Sequence, residues 1–65
     1  MKTRTAQWMA SAGQYVVTDT GTSDEWYSMT GEDWSDQHGH PIAGEEYAMS
    51  QIILVGGARD GETVV

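Results

Sequence analysis

The chain has 65 residues and no cysteine, and its ten acidic against three basic side chains give a formal net charge of −7. The missing cysteines exclude disulfides, thiolate zinc sites and cysteine nucleophiles, and the charge disfavours direct binding to nucleic acid or to an anionic membrane. This length leaves room for one domain, residues 1–65, whose core is so small that dimerisation or close aromatic packing is expected to add stability.

The first third of the chain predicts a β-hairpin. Residues 5–10 alternate Trp8 with polar neighbours, residues 11–13 supply a turn, and residues 14–20 are rich in β-branched side chains. A second turn is expected at residues 21–24, because glycine, threonine, serine and aspartate follow one another there.

Residues 25–29 predict a third strand, although Thr22 to Glu25 also fits the capping box of a helical turn. Residues 30–39 form either an acidic loop or a short helix. Pro41 suits the first position of a helix, and we expect the main helix over about 41–50, with two glutamates near its N-terminus where the helix dipole favours them.

The last third of the chain contains one pattern that is typical of a strand and one that is typical of a hairpin. Residues 51–55 are either the last turns of the main helix or a buried strand, and their β-branched side chains favour the strand. The Asp60-Gly61 pair predicts a hairpin turn in which Arg59 faces Glu62, and residues 63–65 then pair antiparallel with the chain that precedes the turn. The expected fold class is therefore α+β: a small antiparallel sheet of four to five strands, one main helix over about 41–50, and a C-terminal hairpin.

Carboxylates are concentrated in the middle of the chain, where no base accompanies them. Lys2, Arg4 and Arg59 are the only bases, so the acids of segment 19–46 have no basic neighbour and form either a solvating surface, as in salt-adapted proteins, or a binding surface. The candidate partner-binding residues are these acids and one interleaved tryptophan: Asp19, Asp24, Glu25, Glu32, Asp33, Trp34, Asp36, Glu45 and Glu46.

The tryptophans divide between core and surface. Trp8 and Trp26 are expected in the core, because a core this small needs their area. Trp34 follows two acids in an irregular segment, so it is either buried or an exposed anchor for an arginine-rich partner.

His38 and His40, with carboxylates nearby, are candidate metal ligands, but a solvated turn is the favoured interpretation and no cofactor is predicted. No serine lies in a nucleophile elbow, and the glycines do not form a phosphate loop. An enzyme is therefore not expected.

Apolar runs in this chain are short. The longest, residues 52–55, is far below the roughly 20 residues that span a bilayer, and the N-terminus lacks the apolar stretch of a signal peptide. We therefore expect a soluble, cytoplasmic protein.

In length, acidity, lack of cysteine and lack of catalytic motifs, the chain resembles small phage-encoded inhibitors of bacterial defence, among them anti-CRISPR proteins and anti-restriction DNA mimics. The resemblance is a profile of the whole chain, and no motif carries it. It implies a viral protein in the host cytoplasm whose partner has a basic nucleic-acid groove, such as a CRISPR effector.

The expected function is that of an acidic binding protein that inhibits a nucleic-acid-binding partner by occupying its basic groove. Two alternatives remain open. One is an antitoxin or accessory subunit that binds its partner through apolar contacts, and the other is a salt-adapted small domain. A homodimer is compatible with each of them.

Overall fold

The computed structural model describes residues 2–64, except for the side chain of Glu46. Five strands form one mixed sheet in the order β3-β2-β1-β4-β5. The elements are β1 (Lys2–Met9), β2 (Gln14–Val17), β3 (Trp26–Ser28), the helical turn α1 (Glu45–Ala48), β4 (Ser50–Val55) and β5 (Thr63–Val64).

The predicted α+β class, with one main helix over about 41–50, is wrong, because the described part of the chain is nearly all sheet. Only the four residues of α1 are helical there. Pro41 forms a β-bridge with Ser35, so the chain is extended where the first helical turn was expected. Gly44 then has a φ of 112°, which a helix does not allow, and no side chain caps α1.

The purely antiparallel sheet is also wrong, because β1 pairs in parallel with β4. A parallel pair needs a long connection, since the chain must return to the same end of the sheet before the second strand begins. Residues 29–49, which join β3 to β4 and which we call the crossover segment, provide this connection.

Several strand predictions are confirmed. The β1–β2 hairpin forms, and β3 and β4 occupy the segments where strands were expected. A C-terminal hairpin forms as well, and the Arg59 guanidinium donates to Glu62 Oε1 at 2.9 and 3.1 Å. Its register differs from the expected two-residue hairpin at Asp60-Gly61, because Ile52 pairs with Val64 and Ile53 with Thr63 across a loop of residues 56–62. Val65, which was expected to extend this pairing, lies outside the described residues.

One face of the sheet carries the core, which the crossover segment covers. Ile42 and Tyr47 of that segment pack against the buried cluster of Ala6, Tyr15, Val17, Trp26, Trp34, Ile52 and Leu54. The loop after β4 closes one end of the core, because the Tyr15 hydroxyl donates to the Gly56 carbonyl at 2.7 Å and accepts from the Arg59 amide at 3.0 Å.

The opposite face of the sheet is uncovered. β1 is the central strand, yet its outward side chains are exposed. We call this side the open face, formed by the outward residues Thr3, Thr5, Gln7, Met9, Gln14, Val16, Tyr27, Gln51, Ile53, Val55 and Thr63. Across residues 2–64, no helix has the length and apolar character needed to cross a membrane.

Candidate acidic binding surface

Four of the predicted carboxylates border one continuous surface on the crossover side of the molecule. Two shallow depressions, of about 300 and about 340 Å³, share Pro41, Ile42 and Tyr47 in their walls. The first is also lined by Asp24 and Asp36, and the second by Glu32 and Asp33. We call these four carboxylates, with the three shared residues as their apolar centre, the acidic surface.

Glu45 adjoins this surface. It lies in the chain between Ala43 and Tyr47, both of which line the first depression, and its side chain is exposed. Within the described residues, the carboxylates of Asp24, Asp33 and Glu45 make no hydrogen bond or ion pair. These three groups are therefore available to a partner without loss of an internal contact.

Glu32 corrects the expectation that no base reaches segment 19–46. The Arg59 guanidinium donates to Glu32 Oε2 at 3.1 Å and to the Thr30 carbonyl at 3.0 Å. The pKa of Arg59 is raised, chiefly by its hydrogen bond to Glu62 and further by Glu32. The Glu32 side chain is still 68% exposed, so this ion pair neutralises part of the charge but leaves the carboxylate on the surface.

Asp36 organises the histidine turn. Its Oδ1 accepts from the backbone amides of His40 at 3.0 Å and His38 at 2.8 Å, and these bonds hold the pKa of Asp36 below its usual value. His40 Nδ1 lies 3.8 Å from Asp36 Oδ2. Among the residues that the structure describes, no three side chains of the metal-ligating types come together.

Two predicted acids lie away from the acidic surface. Glu25 accepts from the Tyr27 hydroxyl at 2.8 Å, which raises the pKa of Tyr27, and it lines a depression on the open face. The Asp19 carbonyl accepts from the Arg4 guanidinium, and Asp19 Oδ1 accepts weakly from the Thr5 amide at 3.4 Å. Glu46 was also predicted as a contact, and its side chain lies outside the described residues.

Trp34 is a core residue, so its interpretation as an exposed anchor is wrong. It is 4% exposed and belongs to the buried cluster together with Trp26, whose burial confirms its predicted place in the core. Trp8 is half-buried and packs against the same cluster. Trp34 supports the acidic surface from beneath, because it lines the second depression.

The apolar centre was missed by sequence reasoning. Pro41, Ile42 and Tyr47 were assigned to the main helix, whereas the structure leaves Pro41 exposed and Ile42 and Tyr47 half-buried between the core and the two depressions that they line. Gly44 was the available signal, since a glycine between Ile42 and Tyr47 interrupts the expected helix and separates its apolar residues.

Comparisons of this chain with protein-family models, with curated proteins and with solved structures found no match. The functional conclusion therefore depends on the geometry of the acidic surface itself.

Proposed function

We propose that the protein is a non-enzymatic inhibitor that binds a nucleic-acid-binding protein by occupying the partner's basic groove. The observation that carries this proposal is the acidic surface, where four carboxylates surround an apolar centre. Carboxylates attract the lysine and arginine side chains that otherwise hold phosphates, so the inhibitor and the nucleic acid compete for the same groups.

Electrostatics favours such a partner before contact is made. The field of clustered carboxylates extends over about 8–10 Å at physiological salt, and it speeds the approach of a basic groove. Once contact is made, Tyr47 and Ile42 can pack against the aliphatic parts of lysine and arginine side chains. The acidic surface thus combines attraction with an apolar contact area.

A CRISPR effector is one partner with the required groove. The proposal includes no direct contact with nucleic acid or membrane, and it places the protein in the cytoplasm, which is the host cytoplasm if a phage encodes it. No cofactor is needed for inhibition by occupancy.

The test captures partners from a bacterial lysate on the tagged protein and releases them in two ways. We expect the captured proteins to be nucleic-acid-binding proteins that are released by added duplex DNA. We also expect release when salt rises from about 0.1 M to about 0.5 M, because higher salt screens the charges. Capture that resists both treatments would contradict the proposal and support the apolar alternative.

A matched pair of variants separates local charge from net charge. Asp24→Asn with Asp33→Asn and Glu45→Gln removes three carboxylates that have no bond to another described residue. Ala10→Lys with Ser11→Lys and Ala58→Lys changes the net charge equally at exposed loop positions outside the acidic surface. We expect the first variant to lose about tenfold or more in affinity for the captured partner, and the second to lose little. Equal losses in the two variants would refute a defined surface.

A further inference from the structure

The open face is almost free of charge in a strongly acidic protein. Among the described residues that form this face and its depression, Glu25 is the only charged one, and it lies at the rim. An ordinary solvated sheet in a chain with ten acids would carry several charges. The charge pattern therefore indicates a face that meets another uncharged surface.

The open face has a depression and a ridge that can complement each other. The depression, of about 360 Å³, surrounds Val16, which is only 8% exposed although it points outward, and Met9 and Tyr27 line its walls. The ridge consists of Ile53 and Val55 on β4, which are 36% and 44% exposed. β1 lies between the ridge and the strand that carries Val16.

We propose that two copies of this chain associate through their open faces, with the Ile53–Val55 ridge of each copy in the depression around Val16 of the other. A two-fold axis near the centre of β1 brings both pairs together, since each copy supplies one ridge and one depression. The open face is where two chains of net charge −7 can approach with few facing carboxylates, because the acidic surfaces then lie on the outer sides.

The available area sets the expected strength of this dimer. Strands about 4.8 Å apart, with residues about 3.3 Å apart along each, give the five strands a combined flat face of roughly 360 Å², so a pair of copies buries on the order of 700 Å². This area is smaller than that of most stable specific interfaces. We therefore expect a weak, reversible dimer with a Kd on the order of 100 µM.

Sedimentation equilibrium on the purified protein, from about 1 to about 500 µM, tests the association. Thr5→Glu with Gln7→Glu places charges at exposed positions of the central strand, and we expect the Kd of the dimer to rise more than about tenfold because like charges then face each other. Ala48→Glu with Ala58→Glu makes the same change in net charge at exposed positions outside the open face, and we expect the Kd to stay within about a factor of two.

Folding of each variant is checked by circular dichroism and thermal unfolding. A second readout needs no variant: amide chemical shifts of the wild-type protein should change with concentration on the open face and stay constant at Asp33 and Glu45. A protein that is monomeric at the highest concentration would overturn the proposal. So would a dimer that persists in the Thr5→Glu/Gln7→Glu variant, or one that both variants weaken equally.

The dimer proposal and the proposed inhibition can be refuted independently of each other. Salt should strengthen the dimer, because it screens the repulsion between two acidic chains, whereas it should weaken binding to a basic partner. The open-face variant is expected to change self-association, and the Asp24→Asn/Asp33→Asn/Glu45→Gln variant is expected to change partner binding.

Discussion

Arg4 places a guanidinium inside a core that is otherwise largely apolar. Its Nε donates to Ser50 Oγ at 2.8 Å, its Nη1 donates to the Asp19 carbonyl, and the guanidinium lies 4.8 Å from the centre of the Trp26 ring. Arg4 thereby connects β1 with the start of β4, with β3 and with the chain just after β2. One of only three bases in the chain is therefore buried, where it contributes to the stability of the sheet.

Replacing Arg4 with alanine should largely unfold the protein. The loss of charge-assisted hydrogen bonds and the cavity left in the core together cost about 3 kcal/mol or more, which is comparable to the whole stability of a small domain. Urea unfolding followed by tryptophan fluorescence measures the effect. Lys2→Ala is the control, since it removes the same charge from an exposed position on β1, and equal unfolding midpoints for the two variants would disprove the assigned role.

Asp36 should contribute stability that depends on pH. Its folded pKa lies below the usual 3.8, so the contribution is present above about pH 4 and is lost as pH falls through the lowered pKa. Asp36→Asn keeps an acceptor oxygen but does not titrate. We expect the Tm of the wild-type protein to exceed that of Asp36→Asn near pH 6, and the difference to shrink as the pH falls from about 4 through the lowered pKa.

Asp33→Asn is the control for this pH series. The Asp33 carboxylate has no bond to another described residue, so its neutralisation relieves repulsion and should raise the Tm near neutral pH, opposite in sign to Asp36→Asn. A Tm difference for Asp36→Asn that is constant from pH 6 to about pH 2 would contradict the assignment.

The crossover segment is held to the sheet by a short pairing with β3 and by an aromatic contact, without a long helix. The Tyr27 amide of β3 donates to the Ser35 carbonyl at 2.8 Å, and within the segment the Ile42 amide donates to the Trp34 carbonyl at 3.0 Å. The Tyr47 ring meets Trp26 edge-on, with the ring centres 5.7 Å apart. These contacts place Asp36 and the apolar centre on one side of the molecule, so the acidic surface depends on the crossover segment.

Trp34→Ala should destabilise this whole segment. Removing a buried tryptophan costs about 3–5 kcal/mol, because the lost burial and the remaining cavity add together. Met29→Ala in the same segment is the control, since Met29 is 75% exposed and its truncation should change stability little. Thermal unfolding of the two variants measures the difference, and a Trp34→Ala protein as stable as Met29→Ala would show that the ring does not anchor the segment.

The whole molecule has two unlike faces on a body of 28 × 25 × 17 Å. The crossover side carries the acidic surface, whereas the open face of the sheet is nearly uncharged. The dimensions are comparable to the distance of about 30 Å over which charges interact at 0.01 M salt. At low salt, therefore, all the carboxylates repel one another across the folded chain.

The Tm should consequently rise as salt increases from about 0.01 M to about 1 M, because screening shortens the range of repulsion to about 3 Å. The Asp24→Asn/Asp33→Asn/Glu45→Gln variant should start from a higher Tm and rise less. Differential scanning calorimetry in sodium chloride measures both. A Tm that is constant or falls with salt would show that self-repulsion is not a main term in the stability of this protein.

Local sequence patterns were sufficient to predict where most of the strands and turns lie. Alternation around Trp8 and the β-branched run before Gly56 each act over a few residues, and the strands that they predict formed. The Asp60-Gly61 turn formed too, but within the longer loop of residues 56–62, so the predicted register of the hairpin was wrong. The excess of acids and the burial of Trp26 also followed directly from composition.

Tertiary structure decided how these pieces meet. The path of the crossover segment made β1 and β4 parallel, replaced the helix with extended chain, and brought Arg59 to Glu32 across 27 positions of sequence. Helix propensity gives most residues a local preference of under about 1 kcal/mol each, and burial of Trp34 together with the pairing of Ser35 with Tyr27 outweighed it. The number of carboxylates is a property of the sequence, whereas their position around Pro41, Ile42 and Tyr47 arises only when distant segments pack together.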